Sequence, residues 1–257
     1  MTRFTVAAPN WNEMPWMESM FLAGLRSQTF RDFDVVMVDA GSTDGSREAF
    51  NRFGDVSAVW ILNTTRNIGY IRNVAALFGR GEILVHTSSD IEFPPSLLQE
   101  VNRRFSEDPK LFALAGRAIP VGEGAGLICR AGYWGFDVIR TILGFFGKMR
   151  PAGNFLCIKR SAFMEMGGYP EVEINEDGLL GYRIDDYRAE NNLHAAYDYG
   201  LNVKHHVKRF EKGVAGIKGI IFYIYMLQYV FPFLGPWLKP LEKRRRREFS
   251  TRSDLKR

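Results

Sequence analysis

Ionisable side chains stand at four points of this chain where they could do chemistry. Asp39 closes the apolar run Asp34-Val35-Val36-Met37-Val38, and Ser42 and Asp44 follow it. A carboxylate ending a buried strand is costly unless it accepts hydrogen bonds. Base N–H groups or ribose hydroxyls would be suitable donors. Asp44 also reads as a cap on the next helix. Ser88-Ser89-Asp90-Ile91-Glu92 ends a later strand. Asp90 and Glu92 are hard oxygen ligands that suit Mg²⁺ or Mn²⁺, with positions left for phosphate oxygens and water. Such an ion neutralises a departing nucleotide diphosphate. The other reading is a turn before Pro94-Pro95. Glu176-Asp177 opens a helix. Acids there offset the helix dipole, and a general base on a rigid element facing a cleft would look the same. His205-His206 ends the last strand. A ring nitrogen there is either structural or a contact for metal or phosphate.

These groups need elements to position them. Residues 4–8 read as a strand ending at Pro9-Asn10, and 13–28 as a helix. Strands at 34–39, 58–62 and 82–86 alternate with helices at 46–53 and 68–78. The strands are apolar throughout, which implies a parallel sheet covered on both faces. Ligands bind beyond the carboxyl ends of such strands. Here those ends carry Pro9-Asn10, Asp39 and Ser88-Ser89-Asp90. A helix at 96–105, a strand at 112–121 and a glycine-rich loop at 122–126 follow. Gly132–Met149 reads as an aromatic, amphipathic helix with Val138, Ile139, Ile142, Leu143 and Phe146 on one face. A strand at 154–158, helices at 160–166 and 177–190, and a strand at 194–204 complete the body.

Composition narrows the function classes. The chain is 46% hydrophobic and 25% charged, as a folded protein is. Its net charge is +5, but residues 239–257 carry +6 of it and the rest sums to −1. A uniformly basic nucleic-acid binder is excluded, and no nucleic-acid partner is expected. Cys129 and Cys157 make neither a zinc set nor a disulfide framework, so a reducing compartment is the easier reading. The start lacks the apolar run of a signal peptide. No dinucleotide or phosphate-binding glycine loop follows a strand, and no nucleophile elbow is present.

Taken together, Ala8-Pro9-Asn10-Trp11-Asn12-Glu13, Val36-Met37-Val38-Asp39-Ala40-Gly41-Ser42-Thr43-Asp44-Gly45 and Arg72-Asn73 resemble the nucleotide-binding half of family-2 glycosyltransferases. Ser88-Ser89-Asp90 stands where that family has its D-x-D motif. Gly167-Gly168-Tyr169-Pro170 and Glu176-Asp177 are similar to its G-G-[FY] and E-D signatures. The resemblance spans about residues 4–206. It implies a GT-A fold, a Rossmann-like mixed, mostly parallel sheet with helices on both faces, and a UDP- or GDP-sugar donor. It places Pro9, Asn10, Asp39, Ser42, Asp44, Arg72, Ser88 and Ser89 on the nucleotide sugar. Asp90 would hold the metal, with Glu92, His205 or His206 as further ligands. Asp177, beside Glu176, would be the base of an inverting transfer. Ala40 and Ser88 stand where the family commonly has further acids.

The expected organisation is a transferase domain over 1–212, divided near residue 95, then an apolar helical segment over 213–240 and a basic tail. Gly219–Leu238 carries no formal charge over 20 residues, a length that suits a membrane span. One crossing would separate the body from Arg244–Arg247, although both belong on the cytosolic side. An interfacial or re-entrant segment reconciles them, and Pro232, Gly235 and Pro236 suit a bend. The arginines would then bind an anionic membrane surface. The expectation is a peripheral or monotopic enzyme at the cytoplasmic face, using a lipid-linked or glycan acceptor, with Gly132–Met149 helping to dock it. Burial of the segment in an oligomer is the other reading. A nucleotidyltransferase or a non-catalytic nucleotide-sugar binder are the alternative functions.

Overall fold

The computed structural model describes residues 2–207, apart from 55, 64, 66 and 172–175. Gly219–Leu238 and the basic tail lie outside the described residues. Strands β1 (Phe4–Asn10), β2 (Phe33–Asp39), β3 (Ala58–Leu62) and β4 (Ile83–His86) come first. Between them run a π-helical turn (Met17–Leu22) continuing into α1 (Ala23–Arg26), then α2 (Ser46–Asn51) and α3 (Ile68–Phe78). Next come β5 (Ile91–Glu92), α4 (Leu97–Glu107), β6 (Leu111–Val121) and α5 (Leu127–Phe145). The described chain closes with β7 (Leu156–Lys159), α6 (Arg160–Glu165), α7 (Glu176–Asn191) and β8 (His194–His206).

The strands form one mixed sheet, ordered β3-β2-β1-β4-β7-β6-β8-β5. β1 pairs in parallel with β2 and β4, β2 with β3, and β6 with β8. β7 is antiparallel to β4 and β6, and β5 to β8. Side chains alternate across the sheet. Phe4, Val6 and Ala8 of β1, with Val35 and Met37 of β2, pack under α1, α2 and α4 against Phe21, Leu25, Phe50 and Leu98. Ala7, Val36 and Val38 face the other way, onto Ile71 and Ala75 of α3. Leu84, Leu156 and Ile158 meet Phe163 of α6 and Leu180 of α7 on that second face. Each fully buried Leu or Phe contributes about 1.5–3 kcal/mol, so strands apolar on both sides need both layers of helices.

Three expectations change. β3 is an edge strand paired only with β2, and Val59 and Leu62 are exposed despite its apolar sequence. The first helix begins at Met17 rather than 13, after the cis Met14–Pro15 peptide. The long aromatic helix starts at Leu127 rather than 132, and Val138, Ile139, Ile142, Leu143 and Phe146 do not enter the core. Its buried residues are Cys129 and Asp137. Arg117 of β6 and Tyr197 of β8 bond the Asp137 carboxylate at 3.0 and 2.7 Å, and that fixes which face turns inward.

Strand order reverses between β1 and β4, the arrangement that opens a crevice beyond the carboxyl ends of strands. Because β5 and β7 run against their neighbours, their starts meet the ends of β1, β2, β4, β6 and β8 at that same edge.

Candidate active site

The β1–β2 register sets Asn10 opposite Asp39, and the two buried side chains bond directly. Asp39 Oδ1 accepts from Asn10 Nδ2 at 3.0 Å and from the Ser42 hydroxyl, while Oδ2 accepts from the Gly41 and Ser42 amides at 3.1 and 2.8 Å. A carboxylate offers about four acceptor positions, so Asp39 is occupied by Asn10 and by its own loop. Gly41 makes this turn with φ of 87°, a left-handed conformation that favours glycine. The acceptor left without a partner is Asn10 Oδ1, which is buried. Asp44 accepts from Met14 N at 2.8 Å and from Ser46 N, the first amide of α2, at 3.2 Å, so it ties the two loops together, while Gly45 is the N-cap. Ser89 Oγ donates to Pro9 O at 3.2 Å, joining the ends of β1 and β4. Ser88 is half-buried beside it.

Asp90 leaves the end of β4 and faces β8. His205 Nε2 lies 3.5 Å from Asp90 Oδ2, beyond a good hydrogen bond but close enough for one ion to accept both atoms. His205 Nδ1 lies 2.6 Å from Tyr133 Oη and 3.2 Å from Asn154 Nδ2. A metal on Nε2 would leave the proton on Nδ1 for Tyr133 Oη to accept, the Asn154 NH2 then making no hydrogen bond to the ring, and the Tyr133 contact would orient the ring as outer-shell partners do. Two expected ligands are elsewhere. Ile91 pairs with His205 and Glu92 with Lys204, so alternation sends Glu92 to the opposite face, where Lys204 Nζ bonds it at 2.8 Å. The His206 ring stacks on Trp16, centroids 4.6 Å apart, while its backbone N–H donates to Asp90 O. Among the described residues no three His, Cys, Asp or Glu side chains converge. Asp90 and His205 are the pair that fits a divalent cation, whose remaining positions would fall to diphosphate and water.

Asp177 lies in the first turn of α7. Its Oδ2 accepts from Gly153 N at 2.8 Å and its Oδ1 from Gly178 N at 2.8 Å. Arg72, expected on the nucleotide sugar, bonds the chain beside Asp177. It is 3% exposed, and its guanidinium donates to Thr87 O at 2.9 Å and Gly153 O at 2.8 Å. Its Nε lies 3.5 Å from Glu176 Oε1, and its guanidinium sits 5.5 Å from the Tyr169 ring centre. Arg72 therefore holds the carbonyl of Gly153, the residue whose N–H bonds Asp177. Burial, then the adjacent Asp177 charge, push the Glu176 carboxyl up to about 7 against the pull of Arg72. Asn73 bonds both backbone groups of Tyr169, accepting from its N–H at 2.8 Å and donating to its C=O at 2.9 Å. A Cβ on Gly168 would come within 2.5 Å of Asn73 Oδ1. The Arg-Asn and Gly-Gly-Tyr motifs thus clamp each other.

Sequence reasoning missed Tyr133, Asn154 and Gly153. Asn154 and Gly153 precede β7, and only the antiparallel return of that strand brings them to the edge. The polar spacing Tyr133, Asp137, Arg140 inside an apolar helix was the available signal.

The family model described as glycosyl transferase family 2 matches residues 5–165. The glucosyl-dolichyl phosphate glucuronosyltransferase of Haloferax volcanii is 27% identical over 157 residues, 56% of this chain and 48% of that protein. This chain thus spans about half the length of that relative. The O-antigen chain rhamnosyltransferase WbaN of Salmonella anatum is 23% identical over 217 residues, 77% of this chain and 68% of that protein. Among solved structures, the mannosyltransferase PcManGT from Pyrobaculum calidifontis in complex with GDP-Man and Mn²⁺ aligns with a TM-score of 0.69 at 21% identity. It covers 93% of this chain and 68% of that one. TarS 1–349 from S. aureus in complex with UDP-GlcNAc gives 0.62 at 17% identity, covering 89% and 66%. The match over residues 5–165 takes in more than half of the sequence, and the chain belongs to glycosyl transferase family 2.

Proposed function

We propose that the chain transfers a sugar, with inversion, from a UDP- or GDP-sugar to a hydroxyl of a lipid-linked acceptor at the cytosolic face of a membrane. The observation that carries this reading is the convergence of Asn10, the Asp90–His205 pair and Asp177 at one sheet edge. Asn10 Oδ1, buried and without a partner, would accept a base N–H, its amide held by the bond from Nδ2 to Asp39. Asp90 and His205 would hold Mg²⁺ or Mn²⁺, which when bound supplies charge neutralisation for the leaving diphosphate. Asp177 takes the proton of the acceptor hydroxyl. The acceptor oxygen bonds the anomeric carbon as the bond to the diphosphate breaks on the opposite side, so the configuration inverts. Residues 1–95 form the donor half and 96–212 the acceptor half. The named relative that acts on a dolichyl phosphate supports a lipid-linked acceptor, and so do the uncharged Gly219–Leu238 stretch and the Arg244–Arg247 cluster. Among the described residues no helix is long and apolar enough to cross a membrane, so this attachment would rest on the surface or on the C-terminal stretch.

A thermal-shift panel of nucleotide sugars with and without Mn²⁺ tests the donor assignment. One donor at a hundred times its Kd adds about 2.7 kcal/mol of stability, and the shift is expected to need Mn²⁺. Asn10→Ala removes a base hydrogen bond and weakens that donor by about tenfold. A panel with no shift from any nucleotide sugar overturns the reading.

A further inference from the structure

Helix α5 turns its apolar side to solvent. Leu127, Ala131, Trp134, Val138, Ile142 and Phe145 follow at three- and four-residue steps, which places them in one stripe. Leu127 is 84% exposed, Trp134 60% and Phe145 85%. The inward face carries the polar groups instead. Asp137 binds Arg117 and Tyr197, Arg140 Nε donates to Arg150 O, and Tyr133 meets His205. The helix has 19 residues, so its uncharged stripe runs about 28 Å. Solvent seldom faces so long an apolar band on a lone protein.

Three observations choose what covers it. Arg130 is exposed near the start of the stripe, with the exposed Glu123 before it, and Lys148 is exposed just past its end, 3.9 Å from Asp185, while the one acid of the helix, Asp137, is buried. A basic rim around an apolar face matches an anionic bilayer. Tyr133, on the inward side, touches the His205 that faces Asp90. A bilayer on the stripe would therefore lie about one helix diameter, roughly 10 Å, from the transfer site. Val207, the last described residue, packs on Ala125 and Cys129, so the C-terminal sequence, with its uncharged stretch and arginine cluster, is joined to the fold beside this helix.

We propose that the outer stripe of α5 docks at the headgroup–acyl boundary of an anionic bilayer and brings the transfer site to its lipid-linked acceptor, an inference that rests on the lipid-acceptor reading above. The test uses the full chain with Ile142→Cys carrying an environment-sensitive dye. The native Cys129 and Cys157 are buried, and unsubstituted protein controls for their labelling. Phosphatidylglycerol–phosphatidylcholine vesicles with an acyl-chain quencher are then added. The dye at 142 is expected to shift blue and lose emission, while one at Glu107→Cys on α4 stays unchanged. Leu127→Glu with Phe145→Glu is expected to lower vesicle partition at least about tenfold. Sedimentation with vesicles without quenching at 142 overturns the proposal but leaves a lipid acceptor in place, since the C-terminal stretch alone would then dock. A blue shift without vesicles that grows with protein concentration overturns it in favour of a second copy. A dye shifted in dilute protein and indifferent to vesicles overturns it in favour of Gly219–Leu238. Failure of the donor reading appears separately, in the nucleotide-sugar thermal shifts.

Discussion

Asp177→Asn is expected to lower transfer to a hydroxyl acceptor by about a thousandfold, within the range that general-base removal costs, while leaving donor binding intact. The substitution keeps the shape of the side chain. Gly153 N and Gly178 N, which now bond Oδ2 and Oδ1 at 2.8 Å, keep at least one acceptor between them. What disappears is the group that takes a proton. The loss should therefore fall on kcat, and the Mn²⁺-dependent thermal shift by the donor should stay near the wild-type value. Transfer of labelled sugar, read beside that shift, separates the two. Full activity in the variant would remove Asp177 from the base role and point to a phosphate acceptor, which needs no base.

The strand-end acids were legible because a polar atom closing an apolar run shows in the sequence. Asp39 and Asp90 follow strands to one sheet edge, Asp177 comes to Gly153 at that edge from the first turn of α7, and α3 covers the expected 68–78. Roles that depend on distant partners were not legible. The sequence around Arg72 does not reveal its carbonyl partner Gly153, which lies 81 residues on. Glu92 and His206 were equivalent to Asp90 and His205 until the β5–β8 register put Glu92 opposite Lys204. For α5, periodicity told which residues share a face. It could not tell which face turns inward, because that is settled by Arg117 and Tyr197 on two other strands.

The second large effect is expected at Arg72. Its side chain is buried and satisfies two carbonyls, Thr87 O and Gly153 O, besides lying against Glu176. Arg72→Met leaves those groups without a cation or a donor, and breaking a buried pair of this kind costs about 3–5 kcal/mol. The urea midpoint measures it. Glu176→Gln isolates the charge without removing the donors. In the wild type Glu176 is held at about 7, above its ordinary 4.5. Between those values the folded state keeps a proton that the unfolded state has released. The stability this carboxyl contributes is thus fully present below pH 4.5 and lost as pH rises through 7. Midpoints measured from pH 4.5 to 8 should lose that decline in the Gln variant. An unchanged slope would mean that Glu176 stays ionised against Arg72. The Arg72 pair would then act through charge alone, and Arg72→Met would strand a buried carboxylate, the costlier of the two outcomes.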